Sequence, residues 1–160
     1  MDLEQRLRDF LNQHAIPFEE ISHDEAQTCE SAAEARGRPQ AIGGKTVLFK
    51  AKKNFFLFTI SNVEKIDSQK VRKILKSDRL RFATPEELWE QTGAVKGALP
   101  PFGKPLLPFE LYVDESILKN EEIAFNAGVL TTSFILKTED YFKLHSPQIA
   151  SFAKDPHQSP

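Results

Sequence analysis

The chain has 160 residues, 40% hydrophobic and 28% charged, with a formal net charge of -2. That profile suits one globular domain able to bury its own core, and the longest apolar run, Phe55 to Ile60, is too short to cross a bilayer. With no charged-then-apolar leader at the start, a cytoplasmic address is expected. Cys29 stands alone and cannot close an internal disulfide, and the four histidines show no zinc spacing, so neither a metal nor a cofactor is expected.

In chain order, Leu3, Leu7, Phe10 and Leu11 fall on one stripe, which predicts an amphipathic helix from residue 2 to about 13 that Pro17 stops. Phe18 to Ser22 reads as a strand. Thr28 is placed to cap a short helix rich in alanine (Ala32, Ala33, Ala35) that Gly37 ends. From Thr46 to Ser61 two runs of β-branched and aromatic residues flank a Lys52-Lys53-Asn54 turn, the pattern of a hairpin at the sheet centre.

Asp67 or Ser68 is suited to cap a helix with Val71, Ile74 and Leu75 on one face and Lys70, Arg72, Lys73 and Lys76 on the others. Thr84-Pro85-Glu86-Glu87 has the marks of a helix start, Trp89 is expected to pack from that helix, and Gly93 closes it. The stretch Gly97 to Pro108 holds two of the seven glycines and four of the ten prolines and reads as a shaped loop. Strands are expected at Phe109 to Val113, Ile123 to Phe125 and Thr132 to Leu136. Helices are expected around Thr138 to Leu144 and Pro147 to Lys154, and residues 155 to 160 read as a frayed tail.

Strands and helices mix without regular βαβα alternation. The expected fold is therefore α+β, with a mixed, largely antiparallel sheet or open barrel surrounded by helices, in one domain over residues 1–154. Neither a G-x-G-x-x-G turn nor a Walker loop is present, which disfavours nucleotide-cofactor folds.

Charge is unevenly spread. Residues 45 to 81 carry eleven Lys/Arg against three Asp/Glu, whereas residues 1 to 44 carry four against nine and residues 82 to 160 six against eleven. A clustered basic segment suits a phosphate-facing surface; a solvated helix face is the alternative.

Within Gly97 to Gly103 the glycines allow close backbone approach and the prolines hold the chain, an arrangement able to present N–H groups to an oxyanion; a plain surface connection is the alternative. Lys45 follows Gly43-Gly44 and opens an apolar strand, where it either holds a phosphate, carboxylate or carbonyl or merely snorkels. His23 either serves as a general base or pairs with Asp24 and Glu25. Cys29 is an activated thiolate at a helix start or a small packing residue beside Ala32 and Ala33. No G-x-S-x-G elbow and no Cys/His pair is apparent, so a hydrolase here is not expected to use a protein nucleophile.

Several stretches, in this order and spacing, resemble the YbaK / prolyl-tRNA-synthetase-associated editing domain family: KTVLFK at Lys45 to Lys50, LRFATPEEL at Leu80 to Leu88, TGAVKGALPPFG at Thr92 to Gly103, YVDES at Tyr112 to Ser116 and FNAG at Phe125 to Gly128. The similarity runs from about residue 3 to about residue 154. It implies a metal-independent aminoacyl-tRNA deacylase that hydrolyses mischarged tRNA in trans. The aminoacyl-tRNA acceptor end would be its partner, with a synthetase as a further one.

By the same resemblance, the family's lysine falls on Lys45 and its G-x-x-x-P loop on Gly97 to Pro101, so Lys45, Gly97, Ala98 and Pro101 are the implied catalytic positions. His23, Thr46, Phe102, Gly103, Asn126, Gly128 and Thr132 are the candidate substrate-binding ones. Water activation is implied to come from the terminal ribose hydroxyl and loop groups. Some alanine-removing members carry a histidine after the Asn-Ala-Gly turn, where this chain has Val129, Leu130, Thr131 and Thr132. Alanine specificity is therefore not implied, the edited amino acid stays open, and a tRNA- or synthetase-binding module without turnover is the alternative.

Overall fold

The computed structural model describes residues 2–26 and 28–156. Helix α1 (Leu3–Gln13) forms because its stripe of Leu3, Leu7, Phe10 and Leu11 is buried and Asp2 accepts the Gln5 N–H at its start. Strand β1 (Glu19–Ser22) follows. Helix α2 (Cys29–Arg36) starts with a reciprocal cap between Thr28 and Ser31 and ends where Gly37 turns left-handed at φ 67°.

The central hairpin is formed by β2 (Gly44–Ala51) and β3 (Asn54–Ser61), in register from Gly44 opposite Ser61 to Ala51 opposite Asn54. Helix α3 (Ser68–Leu75) is capped by Asp67, and α4 (Pro85–Thr92) by a Thr84–Glu87 capping box. Strand β4 (Leu80–Phe82) lies between them. The chain then runs through β5 (Leu111–Asp114), β6 (Glu122–Asn126), β7 (Thr132–Lys137), helix α5 (Thr138–Lys143) and β8 (Gln148–Ala150), with short 3-10 turns at Gln40–Ile42 and Glu115–Lys119.

Two sheets result. One has the order β1-β7-β6 and is antiparallel; the other is mixed, in the order β4-β2-β3-β5-β8, with β5 parallel to both β3 and β8. A single bridge between Gly43 and Ala124 joins them beside the start of β2. This is the expected α+β architecture, with the hairpin at the sheet centre. The larger core holds Leu7, Leu11, Leu57, Phe102, Phe125 and Phe134, and a smaller one packs Phe49, Phe58, Ile60, Val71 and Phe152 under α3.

Three expectations change. Residues 147 to 154 are not a helix: Gln148–Ala150 pairs with β5, and Phe152 inserts fully into the smaller core while its N–H donates to Asp114 Oδ1 at 2.8 Å. Leu80–Phe82, not anticipated as a strand, finds an open edge on β2. Trp89 does not pack inward and is 60% exposed, because the buried face of α4 is set by Leu88 and Thr92. Of the tail, residues 157–160 lie outside the described residues, and Asp155 is tied to Lys70 at 2.8 Å.

Candidate active site

A cavity of about 500 Å³ opens between the start of β2, helix α2, the start of α4 and the Gly97 loop. Gly44, Lys45, Thr46, Val47 and Leu48 form one wall, because β2 presents its first residues where the two sheets meet. Cys29, Ala32 and Arg36 come from α2 at spacings of three and four, which places them along one helix face. Asn62, Asn126, Lys96, Gly97 and Leu99 close it, with Phe82, Ala83, Pro85 and Leu88 on the remaining side.

Arg36, Lys45 and Lys96 all line this cavity, and no carboxylate among the described residues does. Lys45 is half-buried, and its ammonium makes no ion pair or hydrogen bond with a described residue. Arg36 is 6% exposed, and burial pushes its guanidinium down to about 10, against a smaller opposing influence from Cys29. It is still charged at neutral pH. Its partners are neutral: Nε donates to Ser133 Oγ at 2.9 Å and Nη2 to Asn126 Oδ1 at 3.2 Å.

Asn126 carries that network to the loop, since its Nδ2 donates to the Gly97 carbonyl at 3.1 Å. The loop is also stapled by its backbone: Gly128 N–H donates to the Ala98 carbonyl at 2.8 Å and Val95 N–H to the Gly128 carbonyl at 3.2 Å. Gly97 and Gly128 both have positive φ, 86° and 88°, so this pair of turns suits glycine. From the other side the Tyr141 hydroxyl donates to the Pro101 carbonyl at 2.6 Å. Burial holds the Tyr141 phenol well above its usual value, so it stays a donor.

The sequence-based candidates therefore separate into two groups. Lys45, Thr46, Gly97 and Asn126 meet on the cavity wall. Ala98, Pro101, Phe102, Gly103, Gly128 and Thr132 are buried behind it and shape the loop and turn. The Ala98 N–H is used internally, donating to Val95 O at 3.0 Å, and Pro101 has no N–H, whereas the amides of Gly97 and Leu99 donate to no described group.

Phe102 is a core residue ringed by Phe10, Phe125, Tyr141 and His145. A Cβ on Gly103 would sit 2.6 Å from Phe109 O, which accounts for that glycine. His23 lies outside the cavity, its Nε2 2.8 Å from Ser133 Oγ, and so braces the network beneath Arg36. Cys29 is half-buried on the cavity wall at the first position of α2.

Sequence reasoning missed Arg36, Asn62 and Lys96. Arg36 sits four residues from Ala32, so helical spacing from the cavity-facing alanine was the available signal. Asn62 carried none. No group of three His, Cys, Asp or Glu positioned to hold a metal exists among the described residues, and none of their helices is long and apolar enough to cross a membrane.

Residues 23–144 match the model of the aminoacyl-tRNA editing domain, and the chain belongs to that family. The match spans every element that builds the cavity. Along nearly its whole length the chain is similar to the "Multifunctional Ser/Thr-tRNA deacylase ProXp-y" of Escherichia coli (strain K12), with 34% identity over 94% of this chain and 92% of that protein. A proline--tRNA ligase of Chlamydia caviae is 30% identical over 63% of this chain, which corresponds to 18% of the ligase. A solved structure of a candidate trans-editing enzyme for prolyl tRNA synthetase superposes with a TM-score of 0.83 at 26% identity, covering 97% of this chain and 99% of that one.

Proposed function

We propose that residues 1–154 form a free-standing, metal-independent aminoacyl-tRNA deacylase that hydrolyses in trans the ester linking a wrongly attached serine or threonine to tRNA. Family membership and full-length similarity to a Ser/Thr-tRNA deacylase support the reaction class and the amino acids. The observation that carries the reading is the meeting, on one cavity wall, of Lys45, whose ammonium is unpaired, with Gly97 and Leu99, whose amides donate to no described group.

The acceptor end of tRNA is polyanionic up to an ester bearing one carbonyl, and the cavity offers cations for the first and N–H groups for the second. Lys45 fixes the terminal phosphate or the aminoacyl carbonyl. As water attacks, charge develops on the carbonyl oxygen, and the Gly97 and Leu99 amides receive it; each such donor is worth about 3 kcal/mol in a preorganised site. An aminoacyl ester is already activated, so positioning supplies much of what remains. No described histidine or carboxylate lines the cavity, so activation of the attacking water is assigned to the neighbouring ribose hydroxyl of the substrate, which orients it by a hydrogen bond while the water's proton passes to the departing ribose oxygen as the ester bond breaks.

The test is deacylation of a panel of mischarged tRNAs by the purified protein. Release of serine or threonine with turnover is expected; binding of every tRNA without release of any amino acid would replace this reading with a non-catalytic binding module.

A further inference from the structure

Strand β2 has two edges, and only one is filled along its length. On one side β3 runs beside it from Gly44 to Ala51, whereas on the other β4 covers only Phe49–Ala51 and the bridge from β6 reaches only Gly43. Between those two neighbours lies the stretch Gly44, Lys45, Thr46, Val47 and Leu48, and each of these residues lines the cavity. The cavity therefore runs along an open strand edge.

Hydrogen bonds already made fix which main-chain groups face that edge. Leu57, opposite Leu48, gives its N–H to Glu110 O at 3.0 Å, and Ser61, opposite Gly44, gives its N–H to Ser116 Oγ at 3.1 Å, so neither turns toward β2. Leu48 O in turn accepts the Ala83 N–H at 2.8 Å from the side of β4. Such pairs alternate with hydrogen-bonded ones along an antiparallel ladder. Gly44, Thr46 and Leu48 thus turn their main-chain groups outward, while Lys45, Val47 and Phe49 bond to β3. The outward N–H and C=O of Thr46 have no partner among the described residues, and its hydroxyl is engaged with Thr59 Oγ1 at 2.7 Å.

In an antiparallel hydrogen-bonded pair two residues exchange both bonds, the N–H of each meeting the C=O of the other. An esterified α-amino acid carries the complementary groups, an amino N–H and the ester carbonyl, on either side of one Cα. A phosphate offers acceptors only and would leave the Thr46 carbonyl unpaired. We infer that Thr46 binds the aminoacyl group through its main chain, as one added strand residue: its C=O accepts from the α-amino group and its N–H donates to the ester carbonyl. This pairing reads what all α-amino acids share, so it positions the reacting carbonyl and leaves the side chain to other walls. The carbonyl's second lone pair stays open to the Gly97 and Leu99 amides as charge develops. Arg36, Lys45 and Lys96 line the same cavity without a described carboxylate, so the amino group that pairs is the uncharged amine. The inference rests on the deacylase reading and deepens it by naming the substrate group that is held.

The experiment follows amide hydrogen exchange and carbonyl-carbon shifts by NMR in the full-length protein, free and with two non-hydrolysable probes, the 3′-alanylamino and 3′-isobutyrylamino derivatives of 3′-deoxyadenosine. The probes share shape and carbonyl and differ by a methyl group in place of the amine. In the free protein the Thr46 amide should exchange at least about tenfold faster than those of Lys45 and Val47, which the ladder protects. Saturating alanyl probe should slow Thr46 exchange at least about tenfold and shift its carbonyl carbon. The isobutyryl probe should bind about tenfold more weakly, because its methyl group leaves the Thr46 carbonyl unpaired. A Thr46 amide as slow as that of Val47 in the free protein, equal affinities for the two probes, or alanyl binding that leaves Thr46 exchange unchanged would overturn the inference and leave the deacylase reading intact. A protein that binds neither probe would overturn both.

Discussion

Tyr141 makes no contact with the cavity, yet its hydroxyl holds the last residue of the Gly97 loop. Tyr141→Phe removes that donor with almost no change in shape and leaves the Pro101 carbonyl, buried and without another described donor, unpaired. The loss of a buried partner costs about 1–3 kcal/mol. For a chain of this length that corresponds to roughly 2–4 °C per kcal/mol, so the melting midpoint should fall by about 5 °C. Because the loop places the Gly97 and Leu99 amides, the single-turnover deacylation rate at 25 °C, far below melting, should fall about tenfold while tRNA affinity holds. The assay is rapid-quench release of labelled amino acid, beside a thermal melt. A variant with wild-type midpoint and wild-type rate would refute the idea that this hydrogen bond sets the loop.

Burial pushes His145 down from 6.5 to about 4. The unfolded chain takes up a proton below 6.5 that the folded chain refuses until about 4. The contribution is thus complete above pH 6.5 and lost as pH falls toward 4, and in that window the wild-type midpoint should drop more steeply than that of His145→Phe. Affinity for tRNA should weaken as salt rises, because Lys45, Lys96 and the cations of residues 45 to 81 displace counterions from phosphates; a salt-independent Kd would count against this surface. Turnover should be unchanged in EDTA, and a loss restored by added metal would show that the deacylase needs an ion.

Helices α2 and α4 were legible because each carries its own punctuation. The Thr28 cap, the Thr84-Pro85-Glu87 start and the closing Gly37 and Gly93 all act where the sequence places them. The hairpin was legible from its two β-rich runs. Strand β8 was not, because three residues acquire strand geometry only when β5 offers an edge, and a sequence window contains no such edge. The same holds for Leu80–Phe82 against β2. Within the site, Lys45 and Gly97 were marked by glycine and proline neighbours, but Arg36 looked like any helix-terminal arginine. Its place on the cavity wall, buried without an acid, is a property of the tertiary fold alone. Phe102 and Gly103 were drawn into the site by their nearness in sequence to Gly97, and the structure places them in the core behind it.

Lys45 is the residue on which the proposed chemistry depends most, and its side chain is separable from the fold because its ammonium makes no ion pair or hydrogen bond with a described residue. The direct test is single-turnover deacylation of seryl-tRNA by wild type and Lys45→Ala, each with a melting curve. The account predicts that Lys45→Ala loses most or all of its rate while keeping a midpoint close to wild type, because removal of a half-buried, unpaired strand-end lysine costs little stability. Lys45→Ala releasing serine at the wild-type rate would contradict it.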